Sequence, residues 1–104
     1  MSGETTIKVL SIGGMFQIMC QVMHPMEAEE RLDRNSGRNI EANYITQLAF
    51  KVNGSIIAEL LLGKFVSSNP VVGTSVQSLN KGDVVSVNWQ DISGRSGAAM
   101  VTIS

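Results

Sequence analysis

Turn-forming residues interrupt this chain so often that short strands are the natural way for it to fold. Gly13-Gly14, Asn53-Gly54, Ser68-Asn69-Pro70, Asn80-Lys81-Gly82-Asp83 and Ser93-Gly94 separate runs rich in β-branched and other apolar side chains. Those runs predict strands over residues 5–10, 15–23, 43–52, 55–62, 72–79, 83–90 and 97–103. Seven segments at that spacing suit an all-β sandwich. With 104 residues, no internal repeat and no composition shift, residues 1–104 read as a single domain.

The Asn53-Gly54 pair is the strongest local signal, because both residues tolerate the positive φ that a two-residue hairpin turn needs. In the strand that follows, Ile56, Ala58, Leu60 and Leu62 alternate with Ile57, Glu59 and Leu61, so both faces are largely apolar and cover on both sides is expected. Residues 26–34 include helix formers, but Pro25 before them and Asn35-Ser36-Gly37 after them leave room for only about two turns. A long loop over this segment is the expectation.

The strand at 15–23 has two chemically different faces. Phe16, Ile18, Cys20 and Val22 read as core, whereas Met15, Gln17, Met19, Gln21 and Met23 combine adaptable thioethers with neutral amides and carry no charge. Such a face either packs on another element of the chain or meets a partner, since charge is depleted at the centre of interfaces.

Hydrophobic residues make up 43% and charged residues 16% of the chain, enough to build a packed core and too apolar for a disordered segment. A net charge of -1 with no basic run argues against nucleic acid as a partner. No apolar run approaches the ~18 residues that cross a bilayer, and the N-terminal residues do not resemble a secretory signal. A lone cysteine excludes an intrachain disulfide.

Catalytic and metal chemistry find few residues to use. Cys20 alternates with core residues and has no Lys or Arg near it in sequence, so an enclosed, inert thiol is the expectation rather than a sulfur carrier. His24 is the sole histidine, which leaves no triad and no histidine-pair metal site. Cys20, Met23, His24 and Met26 are the right donors for a soft copper site, but Cys20 and Met23 point to opposite faces of an extended strand. Glu27, Glu29, Glu30 and Asp33 are accompanied by Arg31 and Arg34, as in a solvated loop with compensating charges. Trp89, alternating with Val85 and Val87, reads as a core anchor, with Asp91 and Gly94 forming the next turn.

His24-Pro25-Met26-Glu27, followed by Arg31, Asp33, Gly37, Ile40, Asn53-Gly54, Asn69-Pro70 and Trp89 with Asp91 and Gly94, resembles the SoxZ family over nearly the whole chain. That resemblance implies an immunoglobulin-like sandwich of about seven antiparallel strands. It further implies a non-catalytic subunit without a cofactor, paired with a SoxY-like subunit whose flexible cysteine arm carries sulfur intermediates in bacterial oxidation of thiosulfate and related compounds. Transient contacts with other sulfur-oxidation enzymes, and a periplasmic location reached by export with a signal-bearing partner, come with it. Ala28-Glu29, Leu32 and Glu41 depart from the family's usual residues, all within the loop.

The partner surface expected on these grounds comprises Met15, Gln17, Met19, Gln21 and Met23 with His24, Pro25, Met26, Glu27, Arg31 and Asp33. The alternatives are a small copper- or redox-handling sandwich, and a stand-alone sandwich that forms homodimers or filaments through the same apolar strands.

Overall fold

The computed structural model describes residues 4–104; Met1, Ser2 and Gly3 lie outside the described residues. The strands are β1 (Thr5–Ile12), β2 (Met15–Val22), β3 (Arg31–Leu32), β4 (Asn39–Ile40), β5 (Ile45–Val52), β6 (Ser55–Leu61), β7 (Val71–Val76), β8 (Val84–Asp91) and β9 (Ser96–Thr102). Seven of them form two sheets, ordered β1-β2-β7 and β6-β5-β8-β9, with every pairing antiparallel. The chain leaves the first sheet after β2, builds β5 and β6 in the second, returns to lay β7 beside β2, and crosses again for β8 and β9. This is a Greek-key course of the immunoglobulin type.

Register follows from the alternation of the side chains, since the inward set of each strand must meet the inward set of the facing sheet. Ile18, Cys20 and Val22 from β2 face Ile45, Leu48 and Phe50 from β5 and Val85, Val87 and Trp89 from β8, and all of these are buried. Trp89 needs unusual room. Its β9 partner is Gly97, where a Cβ would lie 2.6 Å from the indole ring. The indole Nε1 donates to Thr5 Oγ1 at 2.8 Å, tying β8 to β1 of the other sheet on the side where β1 runs alongside β9.

Asn53 and Gly54 have φ of 51° and 85°, the mirror-image turn read from the sequence. The strand after this turn differs from the expectation. A bulge between Phe50 and Lys51 pairs Lys51 with Ile56, which turns Ile56 outward, and β6 is the edge of its sheet. Only Ala58 and Leu60 of β6 pack inward, and Leu61 is 85% exposed, so the strand is covered on one side and not both.

The loop after β2 holds more structure than its composition suggests. β3 and β4 form a two-stranded ladder, and an antiparallel bridge between Glu27 and Asn43 closes the base. The radius of gyration is 15.6 Å and the extents are 52 × 24 × 21 Å, against about 13 Å for the radius of a compact domain of this size. Eight-residue strands span roughly 27 Å, and a hairpin arm reaching seven residues out adds about 23 Å, which accounts for the long axis.

Candidate functional site

Among the described residues, no element lies over the outer face of the β1-β2-β7 sheet. Cross-strand neighbours there are Ile12 with Met15, Leu10 with Gln17 and Ser75, Lys8 with Met19 and Gly73, and Thr6 with Gln21 and Val71. Lys8 is the single charge among them. Ile12 is 55% and Val71 57% exposed, and Met15, Met23 and Leu10 are exposed too. Of the two readings of the Met/Gln face, packing within the chain is therefore set aside, and the face is open.

Glycine at position 73 shapes the middle of this face. A Cβ there would meet Met19 Sδ at 2.7 Å, so the thioether lies in the space a side chain would fill. Around it is a shallow depression of ≈ 370 Å³ lined by Thr6, Lys8, Met19, Gln21 and Val71, with the backbone of β1 and β2 as its floor.

At one end of the face the chain runs into a buried polar cluster. His24 is 2% exposed, and its Nε2 lies 2.9 Å from Oδ2 of Asp91, which is 67 positions further along the chain. The Met26 backbone N–H donates to His24 Nδ1 at 3.0 Å. Nδ1 is therefore an acceptor and Nε2 carries the proton toward Asp91, the neutral tautomer fixed by both bonds. Trp89 meets the imidazole edge-to-face at 5.6 Å between centroids. Asn69 completes the cluster: its Oδ1 accepts from the His24 backbone N–H at 3.0 Å, and its own N–H donates to the His24 carbonyl at 2.8 Å.

Asp91 anchors the next turn as well. Its Oδ1 accepts from the Ser93 hydroxyl at 2.7 Å, from the Ser93 backbone N–H at 3.0 Å and from the Arg95 backbone N–H at 3.0 Å. Burial alone would raise the carboxyl. The bonds from Ser93, His24, Arg95 and Asn43 together outweigh it and hold the pKa at about 2.

This cluster aims the hairpin arm. Met26 is buried with φ at 50°, a left-handed conformation that costs a non-glycine residue about 1–2 kcal/mol. Its N–H goes to His24, and its Sδ accepts from the Ile45 N–H at 3.3 Å, so side chain and backbone are both held. One residue later the neck closes, with Glu27 and Asn43 exchanging backbone bonds of 2.7 and 2.9 Å. Arg31 grips Glu27 through two bonds of 3.1 and 3.0 Å, lowering the Glu27 carboxyl, and Glu30 accepts from the Asn39 amide. At the tip, Asp33 accepts from Ser36 Oγ at 2.7 Å and from the Asn35 N–H at 3.3 Å, which lowers its carboxyl.

The residues expected at a partner surface thus divide. Met15, Gln17, Met19, Gln21 and Met23 share the open sheet face; Pro25, Glu27, Arg31 and Asp33 stand on the arm and its neck. His24 and Met26 are corrected to the interior, where they hold the arm's root and present no surface to a partner. Sequence reasoning missed Asp91 and Asn69 as partners of His24 and missed Gly73 under Met19; nothing local in the sequence marks these long-range pairs.

Cys20 is enclosed at 1% exposure, and burial pushes its thiol up to about 11. The donors considered for copper do not converge: Cys20 is in the core, Met23 is exposed, and His24 and Met26 are committed to hydrogen bonds. Among the described residues no group of three or more His, Cys, Asp or Glu is placed to hold a metal, and no helix is long and apolar enough to cross a membrane.

Compared with protein families, the chain matches over residues 7–102 the family described as sulphur oxidation protein SoxZ. No curated protein matches it.

Proposed function

The chain belongs to the SoxZ family of sulphur oxidation proteins, and we propose on that premise that it is a non-catalytic subunit that binds a SoxY-like sulfur carrier. The carrier sits on the outer face of the β1-β2-β7 sheet, which leaves the carrier's cysteine arm free to visit other sulfur-oxidation enzymes. The periplasm is the compartment that fits this role, reached together with a signal-bearing partner.

One observation carries the reading: a sheet face whose middle holds one charge, Lys8, with Glu4 at its margin beside Met23, together with exposed Ile12, Met15 and Val71 and a depression of ≈ 370 Å³. A patch of that character marks a protein interface. Thioethers mould to a partner's side chains, and the depression has room for one large apolar group. Chemistry by the chain itself lacks support, because the thiol is enclosed and both ring nitrogens of His24 are occupied.

The test is copurification of a tagged Met19→Asp variant with the carrier subunit encoded in the same genome. Even paired with Lys8, its cross-strand neighbour, a carboxylate must be desolvated in the interface, which costs roughly 1–3 kcal/mol, about five- to a hundredfold in affinity. Retention should fall accordingly while the fold, read by Trp89 fluorescence, is unchanged; undiminished retention would remove this face from the account.

A further inference from the structure

Resting on the scaffold reading above, we infer that the hairpin arm is a second docking element, whose basic tip of Leu32, Arg34 and Arg38 seats on an acidic patch with an apolar recess on a visiting protein.

The arm's energetics point to a use outside this molecule. Ordering each residue costs about 1–2 kcal/mol of backbone entropy, normally offset by burial in the core. Residues 29–39 bury almost nothing, and Leu32 is 66% exposed. The arm is nevertheless organised along its length: a left-handed Met26 fixed by His24 and Ile45 at the root, a closed neck at Glu27 and Asn43, a two-bond Arg31–Glu27 clamp, and a turn built around Asp33. Strain held in a buried root to aim an exposed tip contributes nothing to the core. It reduces the entropy lost when the tip meets a partner.

Charge decides which partner. Three of the chain's four arginines lie on this arm. Arg31 is used by Glu27, and the Asp33 carboxylate is turned into the loop by Ser36 and Asn35. Arg34 and Arg38 remain, and among the described residues neither takes part in an ion pair. They sit on the six-residue turn that begins at Asp33, where the Asp33 N–H donates to the Arg38 carbonyl. Exposed Glu29 and Glu41 lie nearer the neck, so the arm is basic at its end and acidic toward its root. Complementarity calls for carboxylates around the tip and an apolar notch for Leu32, with arginine as the preferred interface cation.

The test measures binding of each purified enzyme of the same sulfur-oxidation system to this chain, both alone and in its heterodimer with the carrier. Arg34→Glu with Arg38→Glu should weaken at least one enzyme by about tenfold or more at low salt, mainly through slower association, and the difference should shrink at high salt. Leu32→Ser should weaken the same enzyme through faster dissociation. Glu29→Gln with Glu41→Gln should not weaken it. Unchanged rates for every enzyme with the double reversal, or equal weakening by the Glu→Gln pair, overturns the inference. The measurement on the chain alone reports on the arm even if no heterodimer forms, an outcome that would instead remove the functional reading.

Discussion

Replacing Asp91 by Asn should lower stability by about 3 kcal/mol at neutral pH, and this loss should depend on pH in a defined way. The carboxyl pKa lies at about 2, against an ordinary 3.8. A depressed carboxyl stabilises the fold fully above its unfolded pKa, and that contribution is lost as pH falls from about 4 toward 2. At ~1.4 kcal/mol per pKa unit the ionised form contributes roughly 2 kcal/mol, undiscounted because the side chain is 1% exposed. Asparagine adds a second cost. With Nδ1 of His24 accepting from Met26, Nε2 must donate, and an amide cannot accept from His24 and from the Ser93 and Arg95 N–H groups with the same oxygen. One buried donor is left unpaired, at about 1–3 kcal/mol.

Trp89 is the only tryptophan and is buried, so urea unfolding is read directly by its fluorescence. With m near ~1.2 kcal/mol/M for a domain of this size, the midpoint should drop by about 2 M or more at pH 7. The gap between wild type and variant should narrow toward about 1 kcal/mol near pH 2. Glu27, Asp33 and Asp83 also have lowered carboxyls, but they are common to both proteins and cancel in the difference. A variant as stable as the wild type at pH 7, or a gap that does not change with pH, would refute the reasoning.

Two glycines separate packing from binding. Gly97→Ala drives a Cβ into the Trp89 ring at 2.6 Å and should cost about 1–3 kcal/mol by thermal denaturation, because the ring is enclosed and cannot give way. Gly73→Ala meets the mobile end of Met19, which can swing aside, and the Ile18 carbonyl at 3.0 Å, which must give by a few tenths of an ångström, so the cost should be about 1 kcal/mol and below that of Gly97→Ala. The carrier's affinity should change nonetheless, because Met19 is displaced from the centre of the face; isothermal titration reads it. Cys20, enclosed and with its thiol raised to about 11, should react with a thiol reagent only as fast as the protein unfolds, a rate that rises with urea. Prompt labelling under native conditions would contradict its burial.

What the sequence made legible was whatever depends on neighbours along the chain. The Asn53-Gly54 turn, the inward set of β2 and the core position of Trp89 follow from local φ preferences and from a period of two. The open face of β2 was legible as a chemistry but not as a location, because alternation shows that a face is neutral without showing what lies over it. The misjudged features depend on distant residues. Ile56 reads inward by alternation until the bulge opposite Phe50 shifts the register. The pairing of His24 with Asp91 spans 67 residues, and no local pattern announces it. β3 and β4 escaped notice because each is two residues long and their ladder rests on capping bonds from Asp33 and Ser36 instead of on an apolar stripe.

Methionine methyl resonances test the central claim most directly, because this chain distributes methionines over both outer faces and the core. Met15, Met19 and Met23 lie on the β1-β2-β7 face, Met100 is exposed on the outer face of the other sheet, and Met26 is buried. On titration of the labelled chain with the carrier subunit, the first three signals should shift or broaden while those of Met100 and Met26 stay in place. A shift confined to Met100, with Met15, Met19 and Met23 unmoved in a complex that does form, would put the partner on the opposite sheet and contradict the account.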